Sequence, residues 1–360
     1  MMKKTMIAKF PFLILVIASL ASGIFTGWFR LGFELPVSSV FLHHGAMMTG
    51  SFLGTVILIE RIMTLKRRWL FSFPVINASS LFFYYLDLDS VAFACLIFGS
   101  IGLFYVFFLI NQQYSDLPHQ IMWVGSAAWF VGNVHLLIFR LYAHSILWWM
   151  AFLLLTIVGE RLELSRFLPV SKFKQRLLVS FLALFLISCV LPFHLGGQVL
   201  TGLTLFLIAI WLLLYDMVRK SIRKPGIHKF SAFTLICGYV WLALSGLLYV
   251  LDNTGLITYD ALIHSFFLGF VFSMIFAHAP IILPGVLGLG FKPYHPTLYA
   301  WVVLFQLSLI VRIVGGMFTL HLWKQYGGLV NGVVILLFLI NVMIVVMTRW
   351  SSSEKPSLQN

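Results

Sequence analysis

Charge is what this sequence has least of. Only 10% of its 360 residues are Asp, Glu, Lys or Arg, against about 25% in a soluble domain. Cysteine is scarce too. Cys95, Cys189 and Cys237 all fall inside apolar runs with no CxxC spacing, so neither a disulfide framework nor a thiolate metal site is indicated. No loop carries a dinucleotide fingerprint, and no connection is long enough to hold a soluble domain. What fills the chain is apolar: 61% of residues are hydrophobic and mean hydropathy is +1.01. This is the composition of an all-α polytopic membrane protein, whose first partner is membrane lipid. The net charge of +13 is no nucleic-acid footprint, because the basic residues sit in short loops between apolar runs.

Twelve apolar runs fit membrane spans, at residues 10–29, 37–60, 70–87, 90–111, 119–140, 142–160, 177–193, 197–218, 230–251, 259–282, 297–320 and 328–349. The basic start MMKKTMIAKF resembles a secretory signal, but its apolar part is long and reads as an uncleaved first span. With the N-terminus inside, the cytoplasmic segments hold 20 of the 24 Lys and Arg, the outer segments three (Arg30, Arg140 and Lys324), and Arg312 lies within span 11. That asymmetry predicts both termini in the cytoplasm and a cell inner (plasma) membrane location. Residues 1–350 read as one transmembrane domain and 351–360 as a polar cytoplasmic tail.

Ionisable groups are costly at membrane depth, so those inside spans are candidate functional residues. Asp260, His264 and His278 lie on the tenth span; Asp260 and His264 are i,i+4 and share a face. His44, His135, His144 and His264 each lie four to seven residues in from a likely outer helix end, about 6–10 Å below the outer edge of the hydrocarbon. Imidazole is the commonest metal ligand, and bundles build cofactor sites from facing helices. The plain alternative is that each ring simply faces water or a backbone carbonyl at the interface. Arg312 needs an anionic partner, which Asp260 or a ligand carboxylate would supply. His44 and His144 are each followed sixteen residues later by Glu-Arg (Glu60-Arg61, Glu160-Arg161). His264 lies on a third helix four spans further on, so the chain reads as three four-helix units with an incomplete repeat. The two arginines are expected to snorkel to the inner interface and anchor their helices. Whether Glu60 and Glu160 pair across the bundle is left open.

The layout resembles the haem-copper oxidase catalytic-subunit architecture. His44-Gly45-Ala46-Met47-Met48 is similar to its HGxxM pattern, whose histidine is an axial haem ligand. The closer resemblance is to the NnrS family of haem- and copper-containing membrane proteins linked to nitric oxide stress, on His264, Gly269 and Met274 of span 10. The resemblance implies a bis-histidine haem near the outer face between helices 2 and 10, with His44 and His264 as trans ligands. Asp260 would accept the ring N–H of His264, and Arg312 would support the site. No CxxCH occurs, so the haem would be b-type. Departures are clear: Trp148 follows His144 by four where an oxidase has Tyr, span 7 lacks paired histidines, and Phe266 stands two after His264. The expectation is therefore an oxidoreductase-like haem protein without a binuclear oxidase centre. His135 and His144 remain as candidate ligands of a second metal such as copper, and no residue identifies an electron donor.

A twelve-span secondary transporter of a small molecule or ion is the alternative. Pro280, Pro284, Gly285 and Gly288 would break span 10 near an inner gate, and Asp216, His278 and Arg312 would serve substrate or protons. Against it, the polar groups gather toward the outer side and no midplane carboxylate pair is evident.

Overall fold

The computed structural model describes residues 2–37, 39–65, 67–166, 168, 170–252 and 257–353. All regular structure among them is helical, and each expected apolar run falls on a helix. These helices are α1 (Met2–Arg30), α2 (Phe41–Leu65), α3 (Ser72–Tyr85), α4 (Asp89–Gln113), α5 (Leu117–Phe139) and α6 (Ala143–Leu164). They continue with α7 (Lys172–Ser188), α8 (Gly197–Tyr215), α9 (Ile227–Leu251), α10 (Tyr259–Gly285), α11 (Leu298–Met317) and α12 (His321–Ser353). Among the described residues, nine helices, α2, α4 to α6 and α8 to α12, are long and apolar enough to cross a membrane. The chain is an all-α polytopic membrane protein. Of the expected polar tail, residues 354–360 lie outside the described residues.

Helix ends follow local chemistry. Asp116 caps α5 by accepting from the His119 N–H, with Pro118 in the first turn, and Ser171 caps α7 in the same way through Lys174. That cap starts α7 five residues before its apolar run, because a polar first turn is invisible to hydropathy. Pro192 follows the end of α7, where it lacks the N–H a helix needs.

The chain divides into two compact units, Met1–Thr204 and Leu205–Asn360, the boundary falling inside α8. In the first unit α6 is the central helix: 89% of its most apolar window is buried. Around it, α4 shows the two faces of a lipid-contacting helix. Ala92, Leu96, Gly99, Leu103 and Val106 are buried, while Phe98, Ile101, Phe104 and Phe108 are exposed. An exposed apolar stripe of this kind costs nothing in hydrocarbon and would be a liability in water. In the second unit α9 packs against α10, and α11 pairs along its length with α12.

Candidate functional site

The two histidines expected as ligands sit in matching local structure, one in each unit. In α2, His44 opens a single α-turn, His44–Ala46, followed by a π-helix over Met47–Gly54. In α10, His264 ends the α-helical turn Tyr259–His264 and is followed directly by a π-helix over Ser265–Phe272. Both π segments are eight residues long. The π-helix is rare, is unfavourable in long runs, and concentrates at functional sites. Each is pinned from a neighbouring helix. The Asn77 amide of α3 donates to Gly50 O (2.9 Å) and to Thr55 Oγ1 (2.8 Å), the residue that closes the first segment. The Gln306 amide of α11 donates to Ser273 Oγ (3.1 Å), which closes the second, and accepts from Trp241 Nε1 (2.6 Å). Each segment also presents a glycine to an indole: Gly54 to Trp129 and Gly269 to Trp241. A Cβ on Gly269 would come within 2.5 Å of the Trp241 ring. These glycines serve close helix packing, as small residues do in membranes.

The ring nitrogens can be assigned from their partners. His44 Nδ1 lies 2.8 Å from Gly23 O on α1. A carbonyl only accepts, so Nδ1 carries the proton and Nε2 carries the lone pair. Gly27 makes room for the ring: a Cβ there would meet His44 Cε1 at 2.9 Å. His264 Nδ1 lies 2.9 Å from Asp260 O and 3.1 Å from Asp260 Oδ1, which assigns its proton in the same way. Thr258 caps α10 and sets Asp260 in its first turn, where the helix dipole favours a carboxylate. Arg312, on α11, grips Asp260 with both arms of its fork, Nε to Oδ2 at 3.0 Å and Nη2 to Oδ1 at 2.8 Å. The partner that Arg312 requires is therefore Asp260. Nη2 is also 3.2 Å from each nitrogen of His264. An in-plane approach equidistant from both would collide with Cε1, so Nη2 lies over the ring face. It is off the in-plane axis along which Nε2 directs its lone pair.

His135 and His144 come together at the α5–α6 turn, but as a local pair. His135 Nδ1 lies 3.2 Å from the His144 carbonyl, and the His144 ring stacks on Phe139. Among the described residues, no group of three or more His, Cys, Asp or Glu side chains could hold a metal ion. The side chain of His194 lies outside those described.

Two clusters escaped the sequence reading. Arg61 does not snorkel: it is buried and bonds Glu160 of α6, with Glu60 at 3.6 Å. Arg161 is buried as well. An internal carboxylate outcompetes the interface because it balances the charge without exposing apolar neighbours. The second cluster is centred on His43, whose Nε2 lies 3.1 Å from Asp89 Oδ1 and whose Nδ1 lies 2.9 Å from Tyr142 Oη. Both nitrogens of His43 are thereby engaged. The sequence signal was the double histidine itself, which does not say which ring turns which way. Tyr142 lies in the α5–α6 connection. Burial, then the Asp89 carboxylate, push its phenol well above the usual value, and Arg30 draws it partly back.

A family model described as a domain of unknown function (DUF8744) matches residues 9–347. The chain belongs to that family. Neither a curated protein nor a solved structure matches it. The DUF8744 match spans both units, and so includes both π segments and both histidines.

Proposed function

We propose that this protein is a haem-binding integral membrane protein of the redox or nitric-oxide-response type, with His44 of the first unit and His264 of the second as candidate haem ligands. It would lie in the plasma (inner) membrane with its basic loops in the cytoplasm. The observation that carries the reading is the repeated construction: a histidine leading into an eight-residue π segment, its Nδ1 proton held by a backbone carbonyl. A metal-ligating histidine needs this arrangement, because the outer hydrogen bond sets the tautomer and aims Nε2. Asp260 faces the His264 ring at 3.1 Å, and Arg312 is its counter-charge. A haem held by these residues would supply one-electron redox chemistry or an iron site for a small diatomic. Copper is not part of the proposal, since His135 and His144 alone under-coordinate it.

The test is the absorption spectrum of the detergent-purified protein. A Soret band with low-spin features is expected, lost in His44→Ala and in His264→Ala and kept in His228→Ala and His295→Ala. A colourless, metal-free protein would overturn the reading and leave the secondary-transporter account in its place.

A further inference from the structure

The second unit is almost without acid. Between Met217 and Ser353 the chain has only two carboxylates, Asp252 and Asp260. Asp252 follows the last residue of α9, and Asp260 stands in the first turn of α10 as the counter-charge of Arg312. The basic residues collect at the other end of α9. Arg219, Lys220, Arg223 and Lys224 lie in the α8–α9 connection and Lys229 in the first turn of α9, and all five are exposed. From Lys229 to Asp252 the helix rises about 35 Å at 1.5 Å per residue, whereas charges are screened over about 8 Å in physiological salt. Neither carboxylate is close enough to balance these cations.

The connection is held in place. Asp216, which precedes it, is buried; its Oδ1 accepts from Val218 N at 2.7 Å and its Oδ2 from the Tyr239 hydroxyl of α9 at 3.0 Å. Arg219 Nη1 donates to Leu214 O at 2.9 Å and so lies back along α8. Two more exposed cations are brought to the same end. Arg349 of α12 donates to Lys292 O at 3.1 Å and to Tyr294 O at 3.0 Å, which ties α12 to the α10–α11 connection. The Tyr294 ring lies 5.8 Å from that of Phe230, the residue after Lys229. Among the described residues, none of these seven cations is ion-paired with a carboxylate.

Membrane insertion by itself favours Lys and Arg in cytoplasmic loops. It does not require carboxylates to be missing, nor separate loops to be fastened together at one spot. Seven like charges at one end of a bundle repel one another unless anions sit among them. These connections join the ends of apolar helices, where a bilayer presents phosphate groups, and Lys and Arg stems lie along hydrocarbon with the charge at headgroup level. We infer that this end of the second unit is a binding surface for anionic phospholipid. The phosphodiester of a lipid with net negative charge, such as phosphatidylglycerol, sits among Arg223, Lys224, Lys229 and the Lys292–Arg349 pair, on the side predicted to face the cytoplasm. A zwitterionic lipid brings its own cation beside the phosphate and is held less tightly. The surface goes beyond the haem reading and shares no residue with it.

The experiment is native mass spectrometry of the delipidated full-length protein in detergent, titrated with phosphatidylglycerol or phosphatidylcholine. Phosphatidylglycerol is expected to stay bound at concentrations where phosphatidylcholine does not. The triple variant Arg223→Ala/Lys224→Ala/Lys229→Ala should weaken that binding about 100-fold. Lys172→Ala/Lys174→Ala/Arg176→Ala, an equal change of charge in the first unit, should leave it unchanged. Equal affinity of the parent for the two lipids would overturn the proposal whether or not the variants fold. Equal losses in the two triple variants would overturn it as well, since net charge alone would then account for binding. So would complete displacement of the lipid by inorganic phosphate or by a short DNA duplex at equal phosphate concentration.

Discussion

Adjacent histidines meet different partners in this protein. His43 Nδ1 faces the Tyr142 phenol with Asp89 beside Nε2, whereas His44 gives its Nδ1 proton to the Gly23 carbonyl. The same kind of argument governs Asp260 and Arg312. Their side chains are 18% and 9% exposed, and each is the other's counter-charge. Removing one partner of a buried pair strands a charge, which costs about 3–5 kcal/mol, whereas replacing both with apolar residues is often neutral. Arg312→Met should therefore be markedly destabilised in a denaturant titration in detergent. The double variant Asp260→Leu/Arg312→Met should recover most of the loss. If the double variant is no more stable than the single one, the two charges do not depend on each other.

At the scale of the element, the π segments are the unusual feature, and each needs outside support. A π turn moves carbonyls out of ordinary α register, and Gly50 O is met by the Asn77 amide for this reason. Asn77 also holds the closing hydroxyl of Thr55. Gln306 does the corresponding work at Ser273 and stands between that hydroxyl and Trp241. Truncating either amide leaves buried polar groups unsatisfied, each costing about 1–3 kcal/mol. Asn77→Ala and Gln306→Ala should both lower stability by at least that much, and any cofactor band should broaden as the neighbouring histidine loses its aim. Thermal unfolding equal to the parent in both variants would mean that the π segments stand without their amide props.

For the whole molecule, the decisive prediction is topological. The 20-to-3 asymmetry of basic residues predicts which loops face the cytoplasm. In a background lacking Cys95, Cys189 and Cys237, cysteines placed at Ser90 and Lys324 should react with an impermeant reagent from outside. Cysteines at Ser171 and Lys224 should react only from inside. Labelling of positions 90 and 171 from the same face would change the number of crossings between α2 and α6 and remove the basis of the four-helix repeat.

The sequence alone was enough for the class of fold and for the places of the helices, because membrane insertion rewards one property, unbroken apolarity, that is written residue by residue. It was also enough to mark Asp260, His264 and Arg312, since charges inside such runs stand out against their cost. The partnership of Arg312 with Asp260 was open until the tertiary structure brought residues 52 apart into a bidentate pair. The inward turn of Arg61 toward Glu160 was likewise invisible, because snorkelling and pairing demand the same residue at the same helix end. Nor could hydropathy reveal the π segments: an eight-residue change of hydrogen-bond register leaves apolarity untouched and depends on amides arriving from α3 and α11. What each of two neighbouring histidine rings meets was likewise decided only in space, a phenol for His43 and a backbone carbonyl for His44, and only the carbonyl fixes where the Nδ1 proton sits.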